Sequence, residues 1–233
     1  MSAGRARSSS RRPAPSRLSS PTAQWYRTQR TVVAQRTHPG AAVARAEPNL
    51  HTIVLIDITG SGLRDCQGQR RMRDDLYTLV DYVAAGVGIG LNRLRFDDKG
   101  DGLRLVVPLD LVPPTRIVDF FVAGLSAGLR EHRRYARPEA RLRMRVCFDL
   151  GLVEAHRQSW SGEVLIRAAR LVDAEPVREV QRADPELDLV AVVSDQLYDC
   201  VLRHRFGHIA PDRYREIHVH VKEFEGRAWL LLP

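Results

Sequence analysis

Residues 54–65 read VLIDITGSGLRD. With His51, Thr52 and Ile53 ahead of it, the apolar run has the length and β-branched character of a buried strand. It closes on a carboxylate, Asp57, and then breaks into the small residues Thr59, Gly60, Ser61 and Gly62. A second stretch, LRFDDKGDGLRL at 94–105, sets another carboxylate, Asp101, between Gly100 and Gly102 at the tip of what reads as a β-hairpin. Each has an ordinary explanation. Asp57 could cap the next helix, and KGDG could be a tight turn. The two together call for a joint explanation.

Working outward from them, Met72, Leu76, Leu79, Val80, Val83 and Val87 recur at helical spacing, so a long helix follows the first strand. RLRF and GLRLVVPL are the two strands that flank DDKGDG. Pro113, Pro114 and Thr115 supply a start signal, and Ile117, Phe120, Phe121, Leu125 and Leu129 mark a second helix. RLRMRVCFDLG alternates as a strand ending at Gly151. A helix around 162–174, the strand LDLVAVV, a short helix over 194–203 and a strand pair near 214–222 and 227–232 complete the chain. The order β-α-β-β-α-β, followed by further α and β elements, predicts an α+β fold. It is the ferredoxin-like, split-βαβ arrangement of an antiparallel sheet with helices packed on one face.

Composition restricts the function. Residues 1–47 hold nine arginines and a single acid, Glu47, and so carry the whole formal net charge of +8; the remainder is neutral. This Arg-, Ser- and Pro-rich segment has almost no apolar periodicity and is expected to be a disordered tail, with one domain over 48–233. Nucleic acid is therefore expected as a partner only through the tail, since the domain has no basic bias. Three widely spaced cysteines, Cys66, Cys147 and Cys200, form no CxxC pair and fit a reducing, cytoplasmic setting, with Cys147 in the core. No stretch approaches 18 uninterrupted apolar residues, so no membrane span is expected. His218 and His220 share a strand face, but they lack an obvious third ligand and read as surface or cross-strand packing.

In the split-βαβ arrangement the first strand lies beside the hairpin. Neighbouring strands sit about 4.8 Å apart, so Asp57 and Asp101 could share a pair of divalent cations. Two metals roughly 4 Å apart are a known clamp for phosphoryl transfer. Magnesium suits such a site because it accepts one or two carboxylates plus substrate phosphates. The backbone amides around Thr59, Gly60 and Ser61 can approach phosphate oxygens.

One further motif, GEVLIRAARLVD at 162–173, joins DITG at 57–60 and GDG at 100–102. With these, the chain from about residue 50 to 232 resembles the catalytic domain of class III nucleotidyl cyclases. The resemblance implies conversion of a nucleoside triphosphate to a 3′,5′-cyclic nucleotide and pyrophosphate. It implies Asp57, Asp101 and the carbonyl of Ile58 as holders of two Mg²⁺ or Mn²⁺ ions, and Arg170 as the arginine that stabilises charge developing on the phosphate. It also implies a head-to-tail homodimer in which one chain gives the metal aspartates and the other the arginine. Asp97 and Ser159 fall at the base-recognition places, where an acid and a hydroxyl lean towards guanine and hence GTP.

The sequence also departs from the family. Ile166 stands where the family has a transition-state asparagine and cannot donate a hydrogen bond; a lost donor of that kind costs about 10²–10³ in rate. Asp149 stands near the family's usual histidine. The alternative expectation is accordingly a catalytically weakened cyclase-like domain that binds nucleotide as a sensor or regulatory module.

Overall fold

A computed structural model describes residues 47–156 and 159–231. The tail expected over 1–47 lies outside the described residues, Glu47 excepted. The elements are strand β1 (Asn49–Ile58), helix α1 (Cys66–Gly86), strands β2 (Arg95–Asp98) and β3 (Gly102–Pro108), helix α2 (Pro114–Tyr135) and strands β4 (Met144–His156) and β5 (Ser159–Ser161). Helices α3 (Glu163–Val172) and α4 (Glu175–Ala183) follow, then β6 (Leu189–Ser194), α5 (Asp195–Cys200), β7 (Tyr214–Val221) and β8 (Phe224–Leu231).

The sheet runs β2-β3-β1-β4-β6-β8-β7, with β5 paired to β4. Its first four strands are the split-βαβ unit, and all their pairings are antiparallel. The exception further on is β4–β6, which is parallel. Its connection carries α3 and α4, as a parallel crossover requires.

Helices cover both faces, not one. Side chains alternate along a strand, and β1 is apolar on both sides. Val54, Ile56 and Ile58 join the core under α1 and α2. Ile53 and Leu55 join a second core with Cys147, Val190 and Val192 under α3. Helix α3 buries Val164, Leu165, Ala168, Leu171 and Val172 as one stripe, each large apolar side chain contributing about 1.5–3 kcal/mol. Neither α4 nor β5 was expected from the sequence. Helix α4 had a local signal in Pro176 near its start and Val177 in the core, whereas β5 is three residues long and takes its shape from pairing.

The cap of α1 is Asp65, whose side chain accepts from the Gly68 amide at 2.7 Å. That leaves Asp57 without a capping role. On α2, Phe120 turns outward and lies against Arg116, although its helical spacing grouped it with the core residues.

Candidate active site

The hairpin between β2 and β3 is built to bring Asp101 to Asp57. Gly100 has φ +87, a left-handed conformation that favours glycine. Its amide donates to Asp98 Oδ1 at 2.6 Å, and the Lys99 amide donates to the Gly102 carbonyl at 2.9 Å. Gly102 pairs with Asp57 across β1–β3. A Cβ at Gly102 would come within 2.0 Å of the Ile56 carbonyl oxygen, so only glycine lets the two strands close at this point. The Ile58 amide then donates to the Asp101 carbonyl at 2.8 Å. The two carboxylates line one cleft of about 210 Å³, together with Lys99, Arg104 and, from α3, Ala169 and Asp173.

Sequence reasoning missed the residue that faces Asp57 on the other side. Arg145 pairs with Asp57 across β1–β4, and its Nε and Nη2 donate to Asp57 Oδ2 at 3.0 and 2.5 Å. Its Nη1 lies 3.8 Å from Asp173 Oδ1. Arg141, Arg143 and Arg145 alternate in RLRMR, which marks a charged strand face, but the register against β1 depends on strand order. Burial lifts the Asp57 carboxyl above the ordinary carboxylate value. Arg145 pulls it back, and the neighbouring charges of Asp101 and Asp173 push it further up.

The other expected residues are placed as follows. Gly60 has φ +74 and leads into a turn over Ser61–Leu63. Thr59 faces away from the carboxylate cleft, its hydroxyl donating to Gln181 Oε1 at 2.6 Å. Asp97 is engaged by its cross-strand neighbour Arg104, whose Nε donates to Asp97 Oδ2 at 3.1 Å, with Lys99 Nζ at 3.7 Å. The Ser159 hydroxyl donates to the His156 carbonyl at 3.2 Å. Next to it, Trp160 packs against His51 and receives Arg95 over its ring at 5.3 Å. Arg170 does not line its own chain's carboxylate cleft. Its Nη2 donates to Glu223 Oε1 at 2.8 Å, at the β7–β8 turn, and its Nε is buried without a partner among the described residues. Ile166, one turn earlier on α3, is 58% exposed.

Asp149 is fully buried. Arg167 grips it with Nε to Oδ2 and Nη2 to Oδ1, both at 2.9 Å, and the Leu150 amide donates to Oδ1 at 2.7 Å. The pair ties α3 to β4. Burial lifts the Asp149 carboxyl, with Arg167 and Ser194 opposing.

The donors near Asp57 suit a hard divalent cation. Arg145 occupies Oδ2 alone, and among the described residues Oδ1 accepts no hydrogen bond. Asp101 faces it across the cleft, and both are oxygen ligands of the kind magnesium and manganese prefer. No cluster of three or more His, Cys, Asp or Glu side chains suited to a metal is found among the described residues. Substrate phosphates and water would therefore have to complete the coordination.

No family model matches the sequence, and neither does any curated protein. Solved structures do match. The chain is similar to an adenylate/guanylate cyclase/hydrolase from Silicibacter pomeroyi, with 20% identity, a TM-score of 0.58 and coverage of 81% of this chain and 99% of that one. It is also similar to the guanylyl cyclase Cya2 (14% identity, TM-score 0.54, 80% and 92% covered). A third match is the guanylate cyclase domain of RhGC from Catenaria anguillulae, solved in complex with GTP (12% identity, TM-score 0.53, 80% and 98% covered). The protein thus has the α+β fold of nucleotidyl cyclase catalytic domains. Among the described residues no helix is long and apolar enough to cross a membrane.

Proposed function

We propose that this protein is a nucleotidyl cyclase that converts a nucleoside triphosphate to its 3′,5′-cyclic nucleotide and pyrophosphate. The observation that carries this reading is the meeting of Asp57 and Asp101 in one cleft, on a hairpin that only glycine at 102 allows to close. In the reaction the 3′-oxygen forms a bond to the α-phosphorus. The bond from that phosphorus to the oxygen bridging to the β-phosphate breaks, and pyrophosphate leaves. The 3′-hydroxyl proton is released to solvent as the bond to phosphorus forms. Two Mg²⁺ or Mn²⁺ ions held by Asp57, Asp101 and the Ile58 carbonyl would screen the phosphate charge and lower the pKa of the attacking hydroxyl.

The amides at Gly60 and Ser61 hold phosphate oxygens, whereas the Thr59 amide, expected to join them, already donates to the Arg143 carbonyl at 2.9 Å. Arg170, directed away from its own cleft, serves the cleft of a second copy in a head-to-tail homodimer with two equivalent sites. Its planar fork suits an equatorial phosphate oxygen once it leaves Glu223. Asp97 and Ser159 read the base and favour guanine, Asp97 after exchanging Arg104 for the ring N–H groups.

A second reading, a domain that binds nucleotide without turning it over, is favoured by Ile166. Its exposed side chain leaves no donor where the family places one. The two readings separate in one assay. The full chain is incubated with GTP, ATP, CTP or UTP in Mn²⁺ and in Mg²⁺, and cyclic product is measured. A product lost at least 100-fold in both Asp57→Ala and Asp101→Ala, on the scale of one removed electrostatic stabiliser, supports the cyclase. No product, with metal-dependent nucleotide binding retained, supports the binding module.

A further inference from the structure

The domain is neutral as a whole, but the outer face of α2 is not. Arg116, Phe120, Ala123, Ala127, Arg130 and Arg134 are all exposed. Their spacing alternates between four and three residues, so they form a single stripe about 27 Å long. No acid lies in it. Arg116 packs over the Phe120 ring at 5.3 Å, and among the described residues Arg130 has no carboxylate within ion-pair distance. Arg134 meets Glu131 at 3.3 Å, but the two side chains are 72% and 57% exposed, so water screens the pair.

Helix α1 runs antiparallel beside α2. Gly124 lies against Val83, Gly128 against Leu79, and His132 meets Asp75 at 3.3 Å. The start of α1 therefore sits beside the Arg130–Arg134 end of the stripe. It adds Arg70 and Arg71, both exposed and without a carboxylate partner among the described residues, and Asp74 offsets one of them. Positive charge gathered on one face repels itself and attracts an anionic partner.

The groups between the charges select the partner. Phe120, Ala123 and Ala127 offer a ring and two methyl groups, and no Asn, Gln, Ser or Thr lies in the stripe to bond a base edge or a sugar. A duplex docked there would set its polar backbone over these apolar groups. A bilayer surface accepts the whole set, with the arginines on lipid phosphates and the Phe120 ring among the headgroups. The carboxylate cleft is lined by α3, on the opposite face of the sheet, so docking leaves it clear.

We propose that the outer face of α2, extended by the start of α1, docks this protein on the anionic surface of a lipid bilayer. Docking of this kind needs neither metal nor turnover and does not rest on the cyclase reading.

The test is co-sedimentation of the full chain with vesicles of phosphatidylcholine, alone or with about one-third phosphatidylglycerol, at low and at high salt. The parent is compared with Arg116→Gln/Arg130→Gln/Arg134→Gln. A control, Arg182→Gln/Arg203→Gln/Arg227→Gln, loses the same charge from arginines that are 63%, 55% and 45% exposed elsewhere. The Arg-rich residues 1–47 are common to all three and cancel. Glutamine is a good helix former, so thermal melts of the α2 variant and the parent should match. Each arginine near an anionic surface is worth about fivefold in partitioning, so the α2 variant should bind phosphatidylglycerol vesicles about 100-fold more weakly and the control less than about fivefold. High salt should release the parent. No binding by the parent, or equal binding to both kinds of vesicle, would overturn the proposal. So would an equal loss in the α2 variant and the control, which would reduce the attraction to net charge. Binding of a short DNA duplex that the α2 variant loses, with vesicle binding unchanged, would overturn it in favour of a nucleic-acid surface.

Discussion

Two carboxylate–arginine pairs anchor this molecule, and they are finished to different degrees. Asp149 and Arg167 form a closed pair. Both carboxylate oxygens are taken, by Nε, by Nη2 and by the Leu150 amide, and no part of Asp149 reaches solvent. Asp57 and Arg145 form an open pair. One oxygen takes both arginine donors and the other takes none among the described residues, on a side chain that is 22% exposed beside a cleft. Burial lifts both carboxyls. A saturated carboxylate can only hold two elements together, as α3 is held on β4. An unsaturated one still has lone pairs to give to a cation or a proton, and that capacity makes it a candidate for chemistry.

The comparison is exposed to measurement in three ways. The largest expected effect is on stability. Asp149→Ala removes a fully buried carboxylate and leaves Arg167 only the Leu150 carbonyl and Gln196, and should cost about 3–5 kcal/mol. Asp57→Ala, whose buried arginine keeps Asp173 within 3.8 Å, should cost less, about 1–3 kcal/mol. Urea unfolding of the two variants reads the difference, and equal costs would break the distinction between a closed and an open pair.

The next effect is on cation binding. Arg145→Gln removes the resident positive charge from Asp57, so Mn²⁺ followed by electron paramagnetic resonance should bind about tenfold more tightly, the worth of one modest ion pair. No change, or weaker binding, would mean that Arg145 does not compete with the cation.

The smallest effect is a pH slope. A carboxyl lifted above its unfolded value binds its proton more tightly in the folded state. Stability from this group therefore rises as pH falls from the lifted value to the ordinary carboxylate value, and is constant below. Asp149→Asn should remove that rise over the window, as followed by thermal midpoints. A parent and variant with parallel profiles would show that Asp149 does not titrate there.

Much of the fold could be read from local pattern. The apolar alternation of β1, the helical spacing of α1 and α2 and the glycines of the hairpin each record which face is buried or which backbone angle is needed. These signals gave the β-α-β-β-α-β order, and with it the neighbourhood of Asp57 and Asp101. The glycine requirement at 102 is a sequence mark of that neighbourhood, because a side chain there would strike the backbone of β1. Helix α4 was missed because its apolar face is small, and β5 because three residues carry no period.

The sequence by itself therefore determined the elements, their order and the carboxylate pair at the β1–β3 junction, since period and backbone conformation are local properties. Only the tertiary structure decided which charges meet: Arg145 on Asp57, Arg104 on Asp97 and Arg170 on Glu223. The three pairs lie 7 to 88 residues apart in the chain. Their meeting depends on strand register, where a slip of one residue turns every side chain to the opposite face, and on helix crossings that no local pattern contains.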